Sequence, residues 1–300
     1  MNIKNPCKPA LLVSGAIILI AIVMSLCGYG MNLGLDFAGG LSIPYDLGQA
    51  ATQPEVAALL GSGYSVTIQG EEKSEALIRM KSVGAADIQD MQSAVTAKLQ
   101  SAYPNAAPMG DVSYVGPVAG ATLVKNALTS VLIASVLMLI YIAVRFDFHS
   151  GLAAVLALLH DVAVMLAFMV LLRGVIELNS SFIAAALTIV GYSINDTIVV
   201  FDRIRENAKT KPEMDRLDLV NLSVKETLGR TIMTTMTTLV TITALYILGV
   251  SAIKEFALPI IVGVIAGTWS SNLISGYIWA WLEEKFPKKE ASDEDDEDDD

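Results

Sequence analysis

Asn195 and Asp196 interrupt an otherwise apolar run between residues 181 and 205, and they are the groups most able to carry chemistry. Residues 181–202 would rise roughly 33 Å as a helix, about one hydrocarbon thickness of a bilayer. Asp196 would then lie inside the membrane, in the half nearer the basic residues that follow. An ionisable group there costs about 2.5–3.5 kcal/mol on insertion scales, which favours a functional residue with a partner. The alternative is a carboxylic acid that only hydrogen-bonds to a neighbouring helix.

Arg230 stands at the entrance to a later apolar run and is followed by several threonines. Thr234 lies one helical turn beyond it, so the two side chains share a helix face. Arg230 could be an interfacial arginine that snorkels to water. However, Asp196 and Arg230 both fall toward the cytoplasmic side of consecutive helices, so we expect them to meet. A helix movement that separates this pair would let the acid take up a proton, and renewed pairing would release it.

Asp161 and His160 lie about ten residues into another apolar run, close to the middle of the membrane. Asp161 could either support the structure or lie on a proton path, and the sequence favours neither role over the other. His160 is adjacent in sequence and points to another part of the helix surface, so we interpret it as a packing residue.

A stripe of small residues runs along the last apolar segment at four-residue spacing. Its members are Gly263, Gly267, Ser271 and Ser275. Small residues let helices approach closely in a membrane. Packing is the only role that we assign to this stripe.

The composition indicates a membrane protein, because 53% of the residues are hydrophobic and 17% are charged. The net charge of −11 is concentrated in residues 290–300, where nine acids occur without a base. Such a run is typical of a disordered, solvated tail. No basic surface indicates nucleic-acid binding. With two cysteines and two histidines in the chain, neither a clustered metal site nor a cofactor is predicted.

Six apolar runs are each long enough to span a bilayer. They cover residues 10–27, 123–144, 152–172, 182–201, 232–250 and 258–281. The first could be a cleaved signal peptide, but it is long for one and no clean cleavage site follows, so we predict an uncleaved anchor. Thirteen of the twenty basic residues fall at ends that would then face the cytoplasm. This bias predicts that both termini are cytoplasmic.

The segment between residues 34 and 120 is soluble in character. Alternating apolar residues predict strands at 41–47, 64–68, 76–81 and 111–115, and helical spacing predicts helices at 53–60 and 85–102. The order β-α-β-β-α-β is that of the split βαβ, ferredoxin-like unit. The segment has no histidine, no cysteine and no glycine-rich phosphate loop after a strand. We therefore expect a binding or mechanical module rather than an active site.

The predicted fold is a polytopic α-helical membrane protein. It has six transmembrane helices and one extracytoplasmic α+β ferredoxin-like domain between helices 1 and 2. Its parts are a cytoplasmic N-terminus with the first helix (1–30), the outer domain (31–122), helices 2 to 6 (123–284) and an acidic, disordered cytoplasmic tail (285–300).

Short motifs along the chain resemble those of the SecF family, membrane subunits that assist the Sec protein translocase. In chain order they are Gly34-Leu35-Asp36-Phe37-Ala38-Gly39-Gly40, Val115-Gly116-Pro117, Arg145-Phe146-Asp147, His160-Asp161, the run from Gly191 through Asn195 and Asp196 to Asp202, Arg203 and Asn207, and Thr227-Leu228-Gly229-Arg230-Thr231. The resemblance covers about residues 1–287. We expect Asp36 to be a turn or domain-anchoring residue, because the glycines around it suggest tight backbone geometry. Asp202 and Arg203 are interpreted as a solvated helix end, with a docking surface as the alternative.

The resemblance implies a function. The SecF family is similar to the proton-driven resistance-nodulation-division transporters, and its acid and arginine at these positions are implicated in proton conduction. It therefore implies a proton pathway of Asp196 and Arg230, with Thr234 as a neighbour and Asp161 as a further candidate. It also implies a non-enzymatic subunit of the cytoplasmic membrane, without an ATPase motif, that assists export of translocating polypeptide. The implied partners are SecD, the SecYEG channel and the lipid bilayer.

Two other functions compete with this one. A small-molecule efflux transporter of the same superfamily would share an intramembrane acid, but usually carries twelve helices and two large outer domains on one chain. A non-conducting assembly subunit would use Asp196 and Arg230 only to bind each other. The coupling ion, H⁺ or Na⁺, is left open.

Overall fold

The computed structural model describes residues 5–69, 72–81, 88–110 and 112–286. The predicted acidic tail lies outside these ranges from residue 287 onward. The first described helix is α1, Cys7–Leu26. It is one of six helices that are long and apolar enough to cross a membrane.

The outer domain follows α1 and is an α+β unit. Its elements are α2 (Leu35–Ala38), β1 (Gly40–Asp46), α3 (Gln53–Leu60), β2 (Tyr64–Gln69), β3 (Glu75–Lys81), α4 (Ile88–Gln100), β4 (Ala107–Pro108) and β5 (Ser113–Val115). Strand β1 pairs antiparallel with β3 on one side and with β4 and β5 on the other, and β2 pairs with β3. The strand order β2-β3-β1-β4 is that of the predicted ferredoxin-like fold. The last strand expected at 111–115 corresponds to β5, and the short strand β4 before it was not predicted.

Alternating residues of the sheet fill the core of the outer domain. Leu41, Ile43 and Tyr45 of β1 are all fully buried, as the two-residue period of a strand requires. The phenol group of Tyr45 meets Thr96 of α4, with 2.8 Å between the two hydroxyl oxygens. A buried tyrosine hydroxyl needs such a partner. The domain therefore has a core of its own, independent of the membrane helices.

The remaining five membrane spans follow the outer domain. They consist of α5 (Pro117–Arg145), α6 (Phe148–Leu171), α7 (Ser180–Thr210), α8 (Arg216–Leu248) and a last span made of α9 (Ser251–Ser270), a π-helical segment (Ser271–Ser275) and α10 (Gly276–Lys285). Together with α1 they make the chain a multi-pass membrane protein, and the predicted six spans are confirmed.

The helices differ in how much of their surface the chain itself covers. In the most apolar window of each span, 61% of the residues of the last span are buried, against 6% for α5 and 11% for α8. The core of the bundle is therefore formed by α6, α7 and the last span. The flanks of α5 and α8 are open to lipid or to another subunit.

Polar contacts tie the outer domain to two of these helices. Arg79 of β3 lies 2.7 Å from Glu177, just before α7, and 3.6 Å from Glu255, near the start of α9. Asp36 of α2 accepts a hydrogen bond from the backbone N–H of Ser180, the first residue of α7 (2.8 Å). The domain is thus attached directly to the N-terminal ends of α7 and α9.

Candidate functional site

Asp196 lies in the middle of α7 and is bound by hydroxyl groups of two other elements. The Thr231 hydroxyl of α8 donates to one carboxylate oxygen, Oδ1, over 2.7 Å. The Ser271 hydroxyl, at the start of the π-helical segment, donates to the other oxygen, Oδ2. Hydrogen bonds to a charged acceptor are stronger than neutral ones. The carboxylate therefore joins α7, α8 and the last span at one point.

Asp161 of α6 forms a second, more deeply buried centre with no exposed surface. Its Oδ2 accepts from the Ser193 hydroxyl of α7 (2.6 Å) and from the Ser270 hydroxyl of α9 (2.9 Å). Its Oδ1 lies 3.1 Å from the imidazole Nδ1 of His160. Three side chains thus surround a carboxylate that has no access to solvent.

Two adjacent serines connect the two centres. Ser270 bonds to Asp161 and Ser271 bonds to Asp196, so consecutive residues of the last span reach carboxylates on different helices. This is also the point at which α9 changes into the π-helical segment. π-bulges occur frequently at functional sites. Asn272, the next residue, has a buried side-chain oxygen without a hydrogen-bond partner among the described residues.

The small-residue stripe permits these contacts and does more than pack. A Cβ atom on Gly263 would lie 2.5 Å from Ile189 of α7, and one on Gly267 would lie 3.1 Å from the Cβ atom of Ser193. These distances confirm the predicted close approach. The interpretation of the whole stripe as packing alone is wrong at Ser271, because its hydroxyl binds Asp196.

Thr231 is the residue of α8 that contacts Asp196, in place of the expected Arg230 and Thr234. Thr231 is buried against Asp196, whereas Arg230 and Thr234 are exposed on α8. The Thr234 hydroxyl bonds back to the carbonyl oxygens of Arg230 and Thr231. Successive helical residues differ by about 100° around the axis. The inward face of α8 therefore carries Thr231, and the face of Arg230 and Thr234 points outward.

Arg230 makes no ion pair or hydrogen bond through its side chain within the part of the chain that the structure describes. The expected contact between Asp196 and Arg230 is accordingly absent from this arrangement of the helices. His160 also differs from its prediction as a packing residue, because its ring contacts Asp161.

The other motif residues occupy the two ends of the bundle. Gly34 approaches Asn179 and Leu178 closely, and Gly39 and Gly40 have positive φ angles of 68° and 137°, so the turn around Asp36 and Phe37 is tight. Asp36 accepts from Ser180, in line with an anchoring role.

At the opposite end, Asp202 lies 3.9 Å from Arg145, and Arg203 contacts Glu226 (2.7 Å). Gly191 and Asn195 are exposed on α7.

One group of side chains at this opposite end has metal-binding residue types. Nitrogen or oxygen atoms of Asp147, His149 and Glu283 lie within 4.8 Å of one another. However, the Nδ1 atom of His149 is 2.7 Å from Glu283, and Asp147 caps α6 by accepting from Ser150. Pairing of these side chains with each other and with the backbone accounts for the cluster.

The two carboxylates were predictable from sequence, but most of the residues that hydrogen-bond to them were not. Ser193, Ser270 and Ser271 sit in apolar segments, where a serine is a common small residue. Of these three, Ser271 had a signal in the four-residue spacing of the stripe, which places it on the same face as two glycines. Thr231 had a comparable signal, because Thr227, Thr231 and Thr235 follow one another at the same spacing and are all buried.

Sequence comparisons identify similar proteins of known name. The family model for protein export membrane protein SecD/SecF, C-terminal, matches residues 94–285. Protein translocase subunit SecF of Rickettsia felis is 38% identical over 265 residues, which cover 87% of this chain and 85% of that protein. The protein of the same name from Rickettsia typhi is 36% identical over 281 residues, covering 92% and 91%.

Two solved structures are similar in fold. The crystal structure of SecDF, a translocon-associated membrane protein from Thermus thermophilus, matches with a TM-score of 0.79 and 33% identity. The match covers 95% of this chain and 39% of the SecDF chain. SecDF in a super-membrane-facing form matches with a TM-score of 0.66, also at 33% identity. This chain therefore spans well under half of the length of SecDF.

Proposed function

This chain belongs to the SecF family of protein translocase subunits, and on that premise we propose that it uses the proton gradient to assist polypeptide export across the cytoplasmic membrane. The observation that carries the proposal is the pair of intramembrane carboxylates, Asp161 and Asp196, linked by the hydroxyls of Ser270 and Ser271. Ionisable residues inside a membrane commonly form proton relays. The chain is a transport subunit rather than an enzyme in this account.

Protonation of Asp196 would change the contacts between helices. An ionised carboxylate only accepts hydrogen bonds, whereas a protonated one has to donate one. One of the two hydroxyls that now donate to Asp196 would then have to turn away. Ser271 has a second acceptor available, the carbonyl oxygen of Thr268 at 3.2 Å. We therefore expect proton uptake to loosen the contact between α7 and the π-helical segment, and proton release to restore it.

The attachment of the outer domain suggests how such a movement would reach the other side of the membrane. Sixteen residues separate Ser180 from Asp196, about 24 Å along a rigid helix. Ser180 binds Asp36 of the outer domain. Arg79 of the same domain sits between Glu177, before α7, and Glu255 of α9. A shift of α7 against α9 would thus act on the outer domain, which we propose to be the part that handles translocating polypeptide.

The exposed face of α8 supports association with SecD. Arg230 and Thr234 are exposed on α8. In the most apolar window of this helix, the chain itself buries only 11% of the residues. A charge that faces hydrocarbon costs about 2.5–3.5 kcal/mol, so a protein partner is expected to cover it. SecD is the partner that the SecDF structures suggest. We propose that Arg230 joins the proton pathway at this interface, and that the pair works beside the SecYEG channel.

Charge reversal at Arg230 tests the interface. Arg230→Glu should abolish co-purification of SecD from membranes, because an acid would replace the base in a water-poor contact. Lys225→Glu is the matched control, since Lys225 is exposed on the same helix but about 140° away around its axis. Equal recovery of SecD with both variants would show that this face of α8 does not bind it.

Small-molecule efflux and a non-conducting assembly role are the two alternative functions. The named relatives are translocase subunits, which favours polypeptide export over small-molecule efflux. A non-conducting assembly subunit would use the same buried hydrogen bonds only for stability. The response of export to a proton gradient distinguishes this function from the proposed one.

We also propose that both termini are cytoplasmic, with the outer domain on the other side. The end of the bundle opposite the outer domain carries Arg145, Arg203, Arg205, Lys211 and Arg216, as expected for a cytoplasmic surface. In a chain whose two cysteines are replaced by serine, Ser101→Cys should react with an impermeant thiol reagent from outside. Glu213→Cys should react only after the membrane is opened. The opposite pattern would contradict the proposed location of the termini and of the outer domain.

A further inference from the structure

Among the described residues, His160 is the basic side chain that contacts a buried carboxylate of the site. Its Nδ1 atom lies 3.1 Å from Oδ1 of Asp161, and its side chain is 10% exposed. The second ring nitrogen, Nε2, is buried and has no hydrogen-bond partner among the residues that the structure describes. The ring therefore has a hydrogen-bond partner at Nδ1 and, among those residues, none at Nε2.

The two oxygens of Asp161 have different kinds of partner. Oδ2 accepts from the hydroxyls of Ser193 and Ser270, which can stabilise a negative charge but do not accept a proton near neutral pH. Oδ1 faces the imidazole of His160, a type of side chain that can both bind and release a proton. The hydrogen bond to Oδ1 is thus the contact through which Asp161 could share a proton with a second titratable group.

The surroundings of His160 make this sharing depend on Asp161. The ring lines a cleft of about 270 Å³ between α1, α6 and α9. Ser14 and Trp269 are the other polar residues of its lining, and no charged side chain lines it within the described ranges. Ser193 of α7 and Ser270 of α9 face the adjacent carboxylate but are not charged either. Within the described ranges, Asp161 is therefore the ionisable side chain that contacts the ring.

We propose that His160 and Asp161 hold one exchangeable proton between them and act as a single protonatable unit of the proton path. With the proton, the pair is neutral; without it, the pair carries one negative charge. Loss of a proton from the carboxyl group of Asp196 and uptake of one by the Asp161–His160 pair would leave Asp196 as a carboxylate and the pair neutral. The inference deepens the proposed function and rests on it for its biological role.

Nuclear magnetic resonance of the full-length protein in lipid nanodiscs tests the shared proton directly. The chain has two histidines, so ¹⁵N-histidine labelling gives two rings, and His149→Asn assigns them. We expect the His160 ring to change protonation with pH in the wild type. In Asp161→Asn it should stay neutral over the same pH range, while the His149 signal is unchanged. A His160 titration that is the same in both proteins, or absent in the wild type, would overturn the inference.

A pair of histidine variants separates proton sharing from mere positioning. Asparagine places an amide nitrogen near the Nδ1 position, so His160→Asn can keep the hydrogen bond to Asp161 but cannot carry a proton. We expect this variant to lose the pH dependence of gradient-driven export, and His149→Asn, the matched control, to keep it. A wild-type pH profile in His160→Asn would reduce His160 to a positioning residue and contradict the inference.

The two experiments also separate the inference from the proposed function. The ring titration requires no transport assay, so it decides the His160–Asp161 unit even if export proves independent of the gradient. Conversely, gradient-driven export without a coupled His160 titration would leave the proposed function standing and remove only the shared proton.

Discussion

Asp196→Asn is expected to abolish the stimulation of polypeptide export by an imposed proton gradient. The amide retains the size of the side chain, but only its oxygen accepts, so one of the two hydroxyls of Thr231 and Ser271 keeps its bond and the other meets a donating NH2 group. It cannot take up or release a proton, so the change in hydrogen bonding that we propose as the switch cannot occur. The protein should still insert, because the substitution removes a group that is costly in lipid. The measurement is precursor export in membrane vesicles with and without the gradient, in sodium-free buffer.

Asp202→Asn is the matched control for this experiment. Asp202 lies on the same helix, but its side chain is 63% exposed, and it lies 3.9 Å from Arg145 at the end of the bundle. An exposed pair of this kind contributes little, so the variant should respond to the gradient as the wild type does. A wild-type response in Asp196→Asn would reject the proton mechanism and favour the non-conducting assembly subunit.

The same assay distinguishes the two threonines near Asp196. Thr231→Val removes a hydroxyl that donates to the carboxylate and should impair the gradient response strongly. Thr234→Val removes a hydroxyl that bonds to its own helix backbone, so its effect on this chain's proton switch should be small. The reverse order would favour the arrangement expected from the sequence, in which the face of Arg230 and Thr234 meets Asp196.

The outer domain was predictable because its signals are local. Alternation of apolar residues with a period of two defines strands without reference to the rest of the fold, and the helix expected at residues 53–60 corresponds to α3. The last strand was the exception. The short strand β4 precedes it and was not predicted, and Gly110 between β4 and β5 adopts a φ angle of 72°, which a hydrophobic pattern does not reveal.

The membrane helices were predicted in number but not in length. Hydropathy marks the part of a helix that crosses hydrocarbon, and the bilayer sets that length. The helix α8 starts at Arg216, well before the apolar run at residue 232, because its first turns are polar and lie outside the hydrocarbon. Sequence periodicity therefore identifies the spans, while the helical extensions beyond them depend on contacts with one another.

Sequence alone predicted only those site residues that carry a charge into lipid. The cost of such a charge identifies Asp196 and Asp161 without any knowledge of their surroundings. Their partners depend on how each helix is rotated about its axis, and a rotation of about 60° is enough to replace Thr234 by Thr231. The junction of Ser270 and Ser271 also depends on a π-helical segment, for which the sequence carries no clear signal.

Gly263→Val is expected to destabilise the bundle and to remove the gradient response as well. A Cβ atom at Gly263 would lie 2.5 Å from a side-chain carbon of Ile189 and 2.9 Å from the sulfur of Met165. Ile189 is fully buried, so it has little room to move. Overpacking of this kind typically costs about 1–3 kcal/mol. Because the strain acts between α7 and α9, it should also draw Ser271 away from Asp196.

Gly15→Val is the control for this substitution. Gly15 also lies in a membrane helix, but no atom lies within 4 Å of the position that its Cβ would occupy. The midpoint of thermal unfolding of the purified protein in detergent should therefore fall for Gly263→Val and stay near the wild-type value for Gly15→Val. Equal midpoints for all three proteins would show that α7 and α9 are not in close contact at this level.

A compensating substitution makes the argument specific to one contact. Ile189→Ala removes the side-chain atoms that the new valine would meet, although it leaves a cavity when made alone. If the cost of Gly263→Val comes from this contact, the double variant should unfold at a higher temperature than Gly263→Val, and the two effects should not add. Recovery of the gradient response in the double variant would further connect the spacing of α7 and α9 to the proton switch. Additive losses in the double variant would instead place the strain elsewhere in the bundle.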